Sequence, residues 1–141
     1  MKSYFDTSIF VPLTVLELKT KAVQQWFSEC EPMEIVISDW TVVEFHSALA
    51  LKLRTGQIDA GLRDGAQELF ARYTSENFQV IEVTRADFGR AATLANKEAL
   101  KLRAGDALHL AIAERQEFQI CTLDKHLFEA AAVIGVQAFT I

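Results

Sequence analysis

The chain has 141 residues, half of them hydrophobic and about a quarter charged, a composition typical of a globular protein and a length that suits one domain, 1–141, with a core that needs no disulfide staples. No apolar run reaches the ~20 residues of a membrane-spanning helix, and the opening Met-Lys-Ser-Tyr-Phe-Asp lacks the apolar stretch of a secretory signal, so the expectation is a cytoplasmic protein with no membrane partner. The net charge of −5, from 19 acids against 14 bases, argues against a broadly basic surface of the kind nucleic-acid binders carry.

Lys2 to Phe5 reads as a short strand that ends at Asp6. Leu16 to Cys30 reads as a helix, with Leu16, Leu18, Ala22, Val23, Trp26 and Phe27 at near-helical spacing and Pro32 just beyond it. Ile35-Val36-Ile37 is a buried strand, and Asp39 or Thr41 opens a helix through Leu53, with Gly56 as its stop. Asp59 is the expected N-cap of the next helix, to about Thr74. Gln79 to Val83 is a third strand. Thr84 and Asp87 have the spacing of a capping box, for a helix to about Leu102. Asp106 to Glu117 is read as a helix, Phe118 to Thr122 as a strand, Asp124 to Ala132 as a helix and Val136 to Phe139 as a last strand. Strands alternating with helices imply an α/β fold, a parallel sheet covered on both faces.

The acids fall at telling places in this pattern. Asp6 follows strand one, Asp124 lies three residues beyond Cys121 at the end of strand four, Asp106 begins a helix, and Glu44 lies one turn into another. In an open parallel sheet, strand ends and the helix starts that follow them share one edge, where ligands bind. Glu44, a turn deeper, reaches that edge only if its helix leans inward. Carboxylates that converge without a counter-charge cannot all ionise. A hard divalent cation, Mg²⁺ or Mn²⁺, resolves that conflict and supports in-line attack of water on a phosphodiester. Setting the four acids aside leaves 15 acids against 14 bases, so the overall acidity does not exclude a nucleic-acid substrate. The hydroxyls of Thr7, Ser8 and Thr122 are placed to orient carboxylates.

Each residue also has a plainer role to weigh. Asp106 and Asp124 suit helix N-caps, Glu44 a solvated helix face, and Asp6 a turn. His109, three residues after Asp106, is either a substrate contact or a locally bonded core histidine. Trp26 and Trp40 read as core anchors. Lys52, Arg54, Arg63 and Arg72 read as a solvated face, with a phosphate-tracking strip as the alternative. Cys30 and Cys121 form no CxxC pair, and His46, His109 and His126 share no zinc-site spacing. No Ser/His/Asp or Cys/His set suggests a covalent nucleophile.

Four stretches, Tyr4-Phe5-Asp6-Thr7-Ser8, Ser38 through Glu44, Arg103 through Ala111 (Arg-Ala-Gly-Asp-Ala-Leu-His-Leu-Ala) and Thr122-Leu123-Asp124, follow one another in a known order. With them the chain resembles PIN-domain ribonucleases, specifically the VapC toxins of VapBC toxin–antitoxin systems. The resemblance implies a three-layer αβα sandwich whose five-stranded parallel sheet has the order 3-2-1-4-5. It implies an acidic quartet of Asp6, Glu44, Asp106 and Asp124, supported by Ser8, Thr122 and Thr7. Arg103, His109 and Lys125 are expected to meet substrate. It further implies endonucleolytic RNA cleavage with Mg²⁺ or Mn²⁺, on targets such as a tRNA loop, leaving a 3′-hydroxyl and a 5′-phosphate. Dimerisation and silencing by a VapB-like antitoxin in an apolar groove are also implied. Two rivals stand beside it. A haloacid-dehalogenase-type phosphatase also places an Asp after strand one but needs a second Asp two residues later, where this chain has Ser8. The other is an inactive module that binds RNA or a partner without cutting.

Overall fold

A computed structural model describes residues 2–29 and 34–141. Five strands, β1 (Lys2–Phe5), β2 (Glu34–Ser38), β3 (Phe78–Ile81), β4 (Gln119–Cys121) and β5 (Ala138–Phe139), form one sheet. Its order is β3-β2-β1-β4-β5 and every pairing is parallel, the order that the family resemblance implies. β1 is central. The chain adds β2 and β3 on one side of it, then returns to add β4 and β5 on the other. The switch point therefore lies between the carboxyl ends of β1 and β4.

Strand alternation sorts the side chains into two cores. Tyr4, Val36 and Ile120 face one layer, built from α5 (Arg85–Ala95), α6 (Ala104–Gln116) and α7 (Lys125–Ile134). Phe5, Ile35, Ile37 and Cys121 face the other, built from α1 (Phe10–Thr14), α2 (Thr20–Glu29), α3 (Asp39–Arg54) and α4 (Ala60–Glu76). α6 is buried without interruption from Ala107 to Ala113, as befits a helix enclosed on all sides. Asp87, buried beside it, accepts from two guanidinium nitrogens of Arg115.

Expected caps appear where the sequence places them. Asp59 accepts from Leu62 N at 2.8 Å, and Thr84 and Asp87 form the reciprocal capping box. Gly56 follows α3 with φ +75°, a conformation that favours glycine. α3 opens at Asp39, one of the two expected positions, with Ser38 as its cap.

Two expectations are corrected and one element is new. The helix read from Leu16 begins at Thr20, and Leu16 and Leu18 are 89% and 97% exposed. The Thr20 hydroxyl accepts from Glu17 N and donates to Val15 O, so residues 15–19 are tied into a loop. The other end of that reading, Cys30 and Pro32, lies outside the described residues. A short helix, α1, occupies a segment to which the sequence reading assigned no element, and it contains Pro12. Pro12 is its third residue, where the missing N–H would have had no intrahelical acceptor. Finally, α5 stops at Ala95 rather than about Leu102, followed by a 3₁₀ turn at Glu98–Leu100 and a left-handed Lys101. Leu94 and Leu100 both enter the same core. Six residues at 100° each would put them far apart around one straight helix, so the chain must turn to bury both. Among the described residues no helix is long and apolar enough to cross a membrane.

Candidate active site

The carboxyl edge of β1 and β4 is held together by hydroxyls. Asp6 continues the β1–β4 ladder, its N donating to Cys121 O at 3.2 Å, and its side chain is 2% exposed. Ser8 Oγ donates to Asp6 Oδ1 at 2.5 Å and Thr122 Oγ1 to Asp6 Oδ2 at 2.7 Å. The same two hydroxyls accept from the facing loop, Ser8 from Leu123 N and Thr122 from Asp124 N. Both oxygens of Asp6 are thus fixed by residues from either side of the switch point. Burial pushes the Asp6 carboxyl above its ordinary range, with the Asp124 charge adding, although His109, Ser8 and Thr122 act in the opposite sense.

Asp124 caps α7, accepting from Leu127 N at 2.8 Å. Its capping role is therefore real and coexists with its place at this edge. Asp106 is not a cap: α6 begins two residues earlier than expected, with Arg103 as the N-cap, and Asp106 lies in the first turn. Among the described residues its carboxyl accepts no hydrogen bond. Burial lifts its pKa to about 6, and the charges of Asp124, Asp6 and Glu44 add to that against the opposing effect of His109. The four acids named from the sequence thus share one electrostatic environment.

Glu44 does lean inward. Its Oε1 accepts from Thr7 Oγ1 at 2.7 Å and from His109 Nε2. Burial opposes its charge, but the His109 and Thr7 bonds outweigh that and hold Glu44 below the usual carboxylate range. Gly105 permits this approach. A Cβ there would stand 2.5 Å from Glu44 Oε2 and 3.3 Å from Trp40 Cζ2. Trp40, packed against the core, donates its Nε1 to Gly105 O.

His109, read as either a substrate contact or a locally bonded core histidine, is 1% exposed with its second nitrogen on the buried Tyr4 hydroxyl at 2.7 Å. Arg103 and Lys125 are exposed at the starts of α6 and α7. Lys52 pairs with Glu17 and Arg63 with Asp64. Among the described residues no three Asp, Glu, His or Cys side chains close into a ready-made metal cage, while no buried side-chain polar atom lacks a partner. Sequence reading missed the roles of Tyr4 and Gly105. Both lie inside the quoted stretches, but nothing in those stretches tells which residues meet across the sheet.

A PIN domain family model matches residues 3–133. No curated protein matches the sequence. Among solved structures, the chain is similar to FitAcB from Neisseria gonorrhoeae (TM-score 0.69, 18% identity, covering 99% of this chain and 96% of that one). It is also similar to the Mycobacterium tuberculosis toxin VapC20, described as cleaving the sarcin-ricin loop (0.73, 17%, 92% and 95%). A third likeness is to a toxin–antitoxin complex from Klebsiella pneumoniae (0.64, 22%, 99% of both chains).

Proposed function

Because the chain belongs to the PIN-domain family, we propose that it is a metal-dependent endoribonuclease, the toxin of a type II toxin–antitoxin pair. The observation that carries this reading is the burial of Asp106 among three other acids. Burial and three neighbouring carboxylates raise its pKa to about 6, a conflict that a bound cation removes.

The donors fit Mg²⁺ or Mn²⁺. All are oxygens, and Mg²⁺ takes one or two carboxylates directly while keeping several waters. That suits acids that share a field without closing into a cage. Asp6 and Asp124 would hold the ion, Asp106 would share it or a second one, and Glu44 would bind through water or orient the attacking water. When bound, such an ion polarises a phosphoryl oxygen and makes a nucleophile available near neutral pH. The chain's own groups supply the geometry. Ser8 and Thr122 fix Asp6, and Thr7 and His109 fix Glu44. Arg103 and Lys125 offer positive charge to RNA phosphates. An aspartyl-phosphate route has no support from position 8, where the Ser8 hydroxyl is bonded to Asp6.

A groove of about 440 Å³ begins at Ser8 and is lined by apolar residues such as Val15, Leu16 and Ile58 together with Glu17, Lys19 and Lys52. It would offer the exposed Leu16 to an apolar antitoxin segment; one solved neighbour is itself a toxin–antitoxin complex. Purified protein should cut RNA with Mg²⁺ or Mn²⁺ and stop with EDTA. Sequencing of the ends should show 5′-phosphates, and Asp6→Asn should lower the rate about 100-fold or more. Undiminished cleavage by Asp6→Asn would sink the reading.

A further inference from the structure

We propose that Tyr4 and His109 form a buried positioning pair that fixes the Glu44 carboxylate through a proton on His109 Nε2. The inference rests on the nuclease reading above. A carboxylate only accepts hydrogen bonds, so the Nε2 that faces Glu44 Oε1 carries the donor, whether the ring is neutral or charged. Nδ1 is engaged by the Tyr4 hydroxyl at 2.7 Å, and that hydroxyl also meets Ser38 Oγ at 2.8 Å. Ser38 caps α3, the helix that carries Glu44. The bonds therefore form a closed loop, from the cap of α3 through β1 and α6 back to α3. Thr7 holds Oε1 from a second direction, while Oε2 lies over Gly105. The carboxylate cannot turn without giving up a bond or meeting backbone. His109 and Tyr4, both buried, act through Glu44 rather than on RNA.

Two measurements test this. Nitrogen NMR of ¹⁵N-histidine-labelled protein should show His109 Nε2 as protonated, and a bare lone pair at Nε2 would overturn the proposal. In cleavage assays, His109→Leu and Tyr4→Phe should each lower kcat about 10- to 100-fold with KM for RNA nearly unchanged. His109→Gln, which keeps a donor at similar reach, should restore most of that. In a Glu44→Gln background the same changes should cost nothing further, whereas additive losses would show a general structural role and overturn it. Tyr4→Phe removes a single oxygen, so the cycle stands even where His109→Leu does not fold. If the parent protein cuts no RNA, the nuclease reading fails, and the NMR result still decides the pair.

Discussion

Asp106 concentrates burial and neighbouring negative charge on one side chain. It sits in the first turn of α6, where a helix favours negative charge, yet its pKa rises from 3.8 to about 6 through burial and neighbouring acids. The folded metal-free chain therefore keeps a proton on Asp106 between those values, while the unfolded chain has released it. Stability must fall as pH rises through that window, since the native state binds more protons there. EDTA-treated protein should lose melting temperature from about pH 4 to about pH 6, and Asp106→Asn should flatten part of that decline. At pH 7 the variant should melt higher than the parent and cut no RNA, the exchange expected where charge is concentrated for function. A variant that melts lower would count against this account. Cys121 is the contrasting case. Burial pushes its thiol well above the ordinary range, which leaves it a core residue facing the α1–α4 layer.

Helix placement decides which of these side chains meet. Glu44 reaches the site because α6 starts close to α3, and that approach depends on the bare backbone of Gly105. Alanine inside a helix is ordinarily favoured over glycine by about 1 kcal/mol, so Gly105→Ala should be tolerated by the fold. The new Cβ would displace the end of the Glu44 side chain. We expect melting within a few degrees of the parent but cleavage lowered about 100-fold, as for a small misplacement of a catalytic group. Unaltered cleavage would show that Glu44 needs no fixed position. The same scale explains the misread segments. Local patterning placed Leu16 and Leu18 on a helix face, but the Thr20 hydroxyl binds that segment into a loop. Likewise α5 turns early because Leu94 and Leu100 must enter one core.

Across the whole molecule, two cores are joined by one sheet, with Tyr4 and Phe5 of the central strand pointing into opposite layers. Opening either layer bares one face of the same strands on whose opposite face the other layer packs. We therefore expect a single calorimetric transition with equal calorimetric and van't Hoff enthalpies, and two resolved transitions would argue for independent halves. Much of this architecture was legible in the sequence. Alternating apolar runs and helical spacing gave the strands, most of the helices and the parallel class, because periodicity and capping are local properties. The positions of Asp6, Asp106 and Asp124 at strand ends and a helix start followed from the same pattern. Tertiary structure alone decided that Asp106 is no cap, that Glu44 leans in over Gly105, and that Tyr4 reaches His109 from the central strand. Those facts depend on pairs such as Tyr4 and His109, 105 residues apart in the chain, and such pairs come together only when the two layers pack on a shared sheet.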